Sequence, residues 1–139
     1  MTYQLDEPFF EEKGRITAQK EIGDNKIQMT YSSIGTFKGN IEVTNSGDFV
    51  SVPKDNKGTS AQGQGVVTTK DGREKANYTF LQVGKTITKD GKPVLRGLGC
   101  AVWSTDSTGK LAFLDNMLTF FIIEVDEMGN FSGKDRELK

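Results

Sequence analysis

The feature that most constrains this chain is alternation with a period of two, broken at short intervals by turn-forming residues. Ile27, Met29 and Tyr31 alternate with Gln28, Thr30 and Ser32, and Ala76, Tyr78 and Phe80 alternate with Lys75, Asn77 and Thr79. Ile16 and Ala18 oppose Arg15, Thr17, Gln19 and Glu21, while Phe37, Ile41 and Val43 oppose Lys38, Asn40, Glu42 and Thr44. Such a pattern describes antiparallel strands with one buried and one wetted face. Turn signals separate them: Gly23-Asp24-Asn25, Asn45-Ser46-Gly47, Asp55-Asn56-Lys57-Gly58, Lys70-Asp71-Gly72, Lys89-Asp90-Gly91, Ser107-Thr108-Gly109 and Glu127-Met128-Gly129-Asn130. Evenly spaced strands and tight turns predict an all-β sandwich or barrel. One short helical turn is expected near 108–115, capped by Ser107 or Thr108, with Leu111 and Leu114 on one face as a plug.

Two segments are apolar or small in both phases. Val94–Thr105 carries Leu98, Cys100 and Val102 against Gly97, Gly99, Ala101 and Trp103, and Met117–Val125 carries Phe120 and Ile122 against Phe121 and Ile123. Strands of that kind need cover on their outer side. Candidates are the Pro8-Phe9-Phe10 segment, a short helix, or a second subunit, so a homo-oligomer through the Met117–Val125 strand is expected. Glycines inside the strands, Gly63, Gly65, Gly97 and Gly99, mark bends or close approaches, as a coiled barrel strand requires, or room for a ligand.

The 139 residues suit a single β-barrel domain over residues 1–139. The near-neutral charge, −1 from 18 basic and 19 acidic side chains, argues against nucleic acid and against a polybasic membrane contact. No apolar run approaches the length of a membrane helix, and the first residues have neither the basic nor the apolar part of a secretory signal. With one cysteine, Cys100, read as a small buried hydrophobe, the expected setting is cytoplasmic.

The chain has no histidine, which removes the Ser-His-Asp and Cys-His arrangements and histidine-based zinc sites. A single cysteine removes thiolate clusters, so no metal or other cofactor is expected. Gly84-Lys85-Thr86 ends like a phosphate loop but lacks the earlier glycine, since Thr79 stands there. Asp126-Glu127-Met128-Gly129-Asn130 lacks the order of a calcium loop and reads as a hairpin turn. Two charges break apolar phases: Glu124, in phase with Leu118, Phe120 and Ile122, and Arg96, in phase with Leu98, Cys100 and Val102. A charge there must be paired or reach water. Each therefore belongs at a barrel rim, in an ion pair, or at a cavity mouth, where a carboxyl is poised for acid–base work. Tyr31, Tyr78 and Trp103 offer apolar bodies with polar tips, suited to packing or to lining a site.

Gly63-Gln64-Gly65-Val66-Val67-Thr68-Thr69-Lys70-Asp71-Gly72, Ser107 to Asn116, Glu124-Val125-Asp126-Glu127 and Gly129-Asn130 resemble blocks of an uncharacterised prokaryotic family of unknown function, grouped with the allene-oxide-cyclase-like barrels. The resemblance implies an antiparallel barrel of about eight strands with a central cavity, often oligomeric. No catalytic motif of the plant cyclase maps onto this chain, so none is carried over. Three functional readings follow. The first is a barrel holding a small apolar or amphipathic molecule, lined by Glu124, Tyr78, Tyr31, Arg96 and Trp103. The second is a metal-independent isomerase or cyclase with Glu124 as acid or base. The third is an oligomeric structural protein with a filled core.

Overall fold

A computed structural model describes residues 7–54 and 58–137. The chain runs through eight strands, β1 (Phe10–Glu21), β2 (Ile27–Phe37), β3 (Ile41–Lys54), β4 (Gly58–Thr69), β5 (Lys75–Lys89), β6 (Lys92–Ser104), β7 (Leu118–Val125) and β8 (Asn130–Glu137). Each strand pairs antiparallel with the next, and β8 closes onto β1 to complete the barrel. Closure removes free sheet edges, which an open sheet of this length would expose to association. The Asp90-Gly91 turn illustrates how the sequence enforces the hairpins. Both residues have positive φ, 53° and 77°, the geometry that matches strand twist in a two-residue turn. The Asp55-Asn56-Lys57 turn and the first six residues lie outside the described residues.

The alternation is the barrel's inside and outside. Met29, Tyr31 and Ser33 of β2, Val43 and Asn45 of β3, and Ala76, Tyr78 and Phe80 of β5 point inward. In β1 the inward set is Phe10, Glu12, Gly14 and Ile16. Beyond it a bulge at Thr17 shifts the phase, because Ile16 pairs Tyr31 and Ala18 pairs Thr30.

The two doubly apolar strands divide cleanly. Gly97, Gly99, Ala101 and Trp103 of β6 face in, as do Thr119, Phe121 and Ile123 of β7. Thr119 fixes that choice, since its hydroxyl receives the Trp103 indole N–H at 3.0 Å, fully enclosed. The outward set includes Leu98 and Val102 of β6 and Leu118 of β7, about half exposed, alongside Leu81 and Val83 of β5. Cys100 also lies on this outward phase, half-buried, and not in the core as its residue type suggested. The Pro8-Phe9-Phe10 segment does not cover this wall. Phe10 instead turns inward and stacks on Phe37 at 4.3 Å, with Phe9 beside them.

One end of the barrel is shut. The β6–β7 connection carries a single 3₁₀ turn, η1 (Ala112–Leu114), and buries Leu111 and Leu114 completely. The plug has the predicted side chains, but a different group fastens it. No side chain caps η1 itself; the Glu74 carboxylate, from the β4–β5 turn, accepts the Leu111 N–H at 3.0 Å and the Ser107 hydroxyl. Those donors hold the Glu74 carboxyl below its usual range. Phe37 meets Trp103 edge-on at 6.0 Å and Phe113 at 5.6 Å, and these rings seal the floor. No helix among the described residues is long and apolar enough to cross a membrane.

Candidate functional site

Above that floor the barrel is open. A cavity of about 620 Å³ runs from Phe10, Trp103 and Asp135 to the hairpin turns at the opposite end, where Asp126, Glu127 and Met128 stand at the rim. Its size lies within the range of small-molecule sites. The interior has room because inward glycines on several strands let neighbouring aromatic rings lie flat along the wall. At Gly65 a Cβ would stand 2.7 Å from the Tyr31 hydroxyl and closer still to that of Tyr78. At Gly99 a Cβ would strike the Phe121 ring. These glycines therefore admit the protein's own side chains, a third role beside the bend and the ligand space expected from sequence.

The wall is mostly apolar, but a polar chain crosses its base. The Tyr31 and Tyr78 hydroxyls are hydrogen-bonded to each other, and Tyr78 donates to Asn45 Oδ1 at 2.7 Å. Asn45 Nδ2 donates to Glu12 Oε1 at 3.0 Å, and Ser33 Oγ donates to the same oxygen at 2.6 Å. Tyr31 thus directs its proton toward Tyr78, and the chain of donors ends on the Glu12 carboxyl. Diagonal to Glu12 across the β1–β8 pairing stands Asp135, whose Oδ2 takes the Thr119 hydroxyl at 3.3 Å. Thr119 is in turn the acceptor for Trp103.

Burial sets the electrostatics. Desolvation pushes the Glu12 carboxyl above its ordinary value, only partly opposed by Ser33 and Asn45. Asp135 is pushed well above its ordinary value by desolvation first and by the Glu12 charge second, with Thr119 opposing. Both tyrosine hydroxyls are held in the neutral form by burial, Tyr78 further by Tyr31. What accessibility Glu12 has is to the cavity that it lines. Among the described residues no group of metal-binding side chains converges, here or elsewhere.

Of the residues singled out in the sequence, Tyr31, Tyr78 and Trp103 come together in the cavity, with Trp103 and Tyr78 rings 4.7 Å apart. Glu124 and Arg96 do not join them. Both lie on the outer wall, opposite each other in the β6–β7 register, and Glu124 accepts a hydrogen bond from Lys89 at 2.7 Å. The apolar phase that Glu124 interrupts is the outward one. Glu12 and Asp135 carry the same signal on inward phases, Phe10-x-Glu12-x-Gly14-x-Ile16 and Phe131-x-Gly133-x-Asp135, and sequence reasoning passed over them.

A closed eight-stranded barrel with one shut end and a deep internal cavity is the class of structure these observations define. No family model matches the chain, and no curated protein matches it in sequence. Two solved structures share its fold over their whole length. A conserved protein of unknown function from Rhodopseudomonas palustris is 15% identical, with 100% of each chain covered and a TM-score of 0.73. A protein of unknown function from Clostridium acetobutylicum is 12% identical, with 99% of each chain covered and a TM-score of 0.70.

Proposed function

We propose that this protein binds a small apolar or amphipathic molecule inside the barrel. The observation that carries the reading is the 620 Å³ cavity, blind at the Leu111–Leu114 plug and lined by aromatic rings. Eight-stranded barrels are wide enough either to be filled by side chains or to hold one small ligand. Here the filling stops at the Phe10, Phe37 and Trp103 layer. Trp103 is the chain's one tryptophan, so it reports on the cavity floor. Titration with the neutral dye N-phenyl-1-naphthylamine should quench Trp103 fluorescence and saturate at one dye per chain. Ala61→Phe, which projects a ring from the mid-wall, should abolish that signal. Non-saturable quenching, or binding indifferent to Ala61→Phe, would refute the reading.

A carboxylate-dependent isomerase or cyclase is the second reading, and the acid it would use is Glu12 instead of Glu124. Its support is the donor chain from Tyr31 through Asn45 to a carboxyl whose hold on its proton burial strengthens. Kinship with the allene-oxide-cyclase-like barrels and a prokaryotic, cytoplasmic setting remain proposals of the same kind.

Assembly is proposed through the outer wall of β5, β6 and β7 against a second copy. Its centre is uncharged, with Leu81, Leu98 and Ile122, while Arg136 stands at one margin and Glu124 at the other. Glu124 is already bonded to Lys89 and faces Arg96, so the apolar middle, not charge pairing, supports this contact.

A further inference from the structure

The cavity's charge is one-sided. Among the described residues four acidic side chains line it, Glu12 and Asp135 at the base and Asp126 and Glu127 at the rim, and no lysine or arginine does. The chain as a whole carries almost equal numbers of both signs, so the partition is specific to the interior.

The two basal carboxyls also have acceptor capacity to spare. Asp135 is only 5% exposed, yet only its Oδ2 is engaged, and both donors to Glu12 land on Oε1. Asp135 Oδ1 and Glu12 Oε2 accept no side-chain or capping hydrogen bond among the described residues. No fully enclosed side-chain oxygen or nitrogen there lacks a partner, so neither of these oxygens is fully enclosed, and both residues line the cavity. The same cavity is lined by Tyr31, Tyr78, Phe80, Trp103 and Phe131, aromatic rings whose faces attract positive charge.

We infer that the ligand is an organic cation, an ammonium group joined to an apolar body. Its charged end seats between Glu12 and Asp135, and its apolar part lies along the aromatic wall. This rests on the interior-binding reading and narrows it to one ligand class. A neutral ligand would leave the acid pair holding its protons, whereas a cation favours its ionised form, and an anion would meet acidic groups at both rim and base.

The test is a matched series, 4-phenylbutylammonium, 4-phenylbutan-1-ol and 4-phenylbutyrate, titrated calorimetrically into the wild-type protein near neutral pH. The ammonium should bind at least tenfold more tightly than the alcohol, and the carboxylate least of all. Its affinity should rise with pH across the raised titrations of Glu12 and Asp135, because the cation favours their ionised form. In Glu12→Gln and in Glu12→Gln/Asp135→Asn the ratio of ammonium to alcohol affinity should collapse toward one. Equal or tighter binding of the alcohol would overturn the cation inference while leaving interior binding intact. A preference that survives in both folded variants would overturn the seat assigned to it. If the ammonium and the alcohol both fail to bind while N-phenyl-1-naphthylamine does, the cation inference alone is overturned; if the dye fails as well, interior binding falls with it.

Discussion

Replacing Gly65 by Ala adds one carbon to the barrel's inner wall and tests whether the tyrosine pair is pinned there. The new Cβ would lie 2.7 Å from the Tyr31 hydroxyl oxygen and nearer to that of Tyr78. Heavy-atom contacts of this kind settle at about 3.5–4.0 Å, so the rings must move by about an ångström. Retreat is blocked. Gly65 is held between Gly47 and Tyr78 in the sheet, and the Tyr78 ring is backed by Trp103 at 4.7 Å. Overpacking of this sort costs about 1–3 kcal/mol, and weakening the Tyr78 to Asn45 hydrogen bond adds about 1 kcal/mol. The expected loss is about 2–4 kcal/mol. With an unfolding entropy of about 2.1 cal/mol/K per residue over 139 residues, that lowers Tm by about 7–14 °C. Thermal and urea unfolding of Gly65→Ala measure it. The double variant Gly65→Ala/Tyr78→Phe should lose less than the sum of its two single changes, because both disturb one contact. A Gly65→Ala loss below about 0.5 kcal/mol, or strict additivity, would refute the claim that this wall is shaped to the tyrosines.

Stability should fall as pH rises from the ordinary carboxyl values through the raised values of Glu12 and Asp135, because over that window the folded chain holds protons that the unfolded chain has released. Glu12→Gln should flatten that decline in urea denaturation run across pH, and an unchanged slope would contradict it. Leu111→Ala, at a fully enclosed plug residue, should cost about 2–5 kcal/mol in urea unfolding. Leu98→Lys, on the outer wall, should convert any dimer to monomer by light scattering with Tm nearly unchanged, whereas a wild-type monomer at micromolar concentration would end the assembly proposal.

The strands were legible because burial on one face writes itself into a period of two, and several turns because positive φ selects residues such as Asp90 and Gly91; but Asn45-Ser46-Gly47, expected as a turn, lies inside β3, and the β2–β3 turn falls at Gly39-Asn40 instead. Facing was harder. Where one face is polar, alternation alone gives the direction, as for Tyr78. On β7 both phases are apolar, and the deciding residue is Thr119, which looks polar in sequence yet is wholly enclosed because Trp103 and Asp135 satisfy it. Glu124 shows the same difficulty: alternation left its facing open, and of the rim, ion-pair and cavity-mouth readings the structure has an ion pair, with Lys89, on the outward phase. The cap on the plug was illegible because Glu74 sits 37 residues before Leu111, and only the folded chain brings its carboxylate there.

The basal acids show most sharply how function departs from folding economy. Glu12 could be Leu and Asp135 could be Val as far as inward position is concerned, since Glu12 stands between Phe10 and Gly14 and Asp135 is paired across the sheet with Phe10 and Phe121. Burying a carboxyl beside another is unfavourable, and no cation of the chain offsets it among the described residues. Three separate devices nevertheless hold them in place. Ser33 and Asn45 orient Glu12, the tyrosine pair orients Asn45, and Thr119 joins Asp135 to Trp103. A barrel that needed only a stable core would gain by filling this space with methyl groups. The retained acids, the glycines that clear the wall and the open end together make sense if the cavity's occupant supplies the missing positive charge.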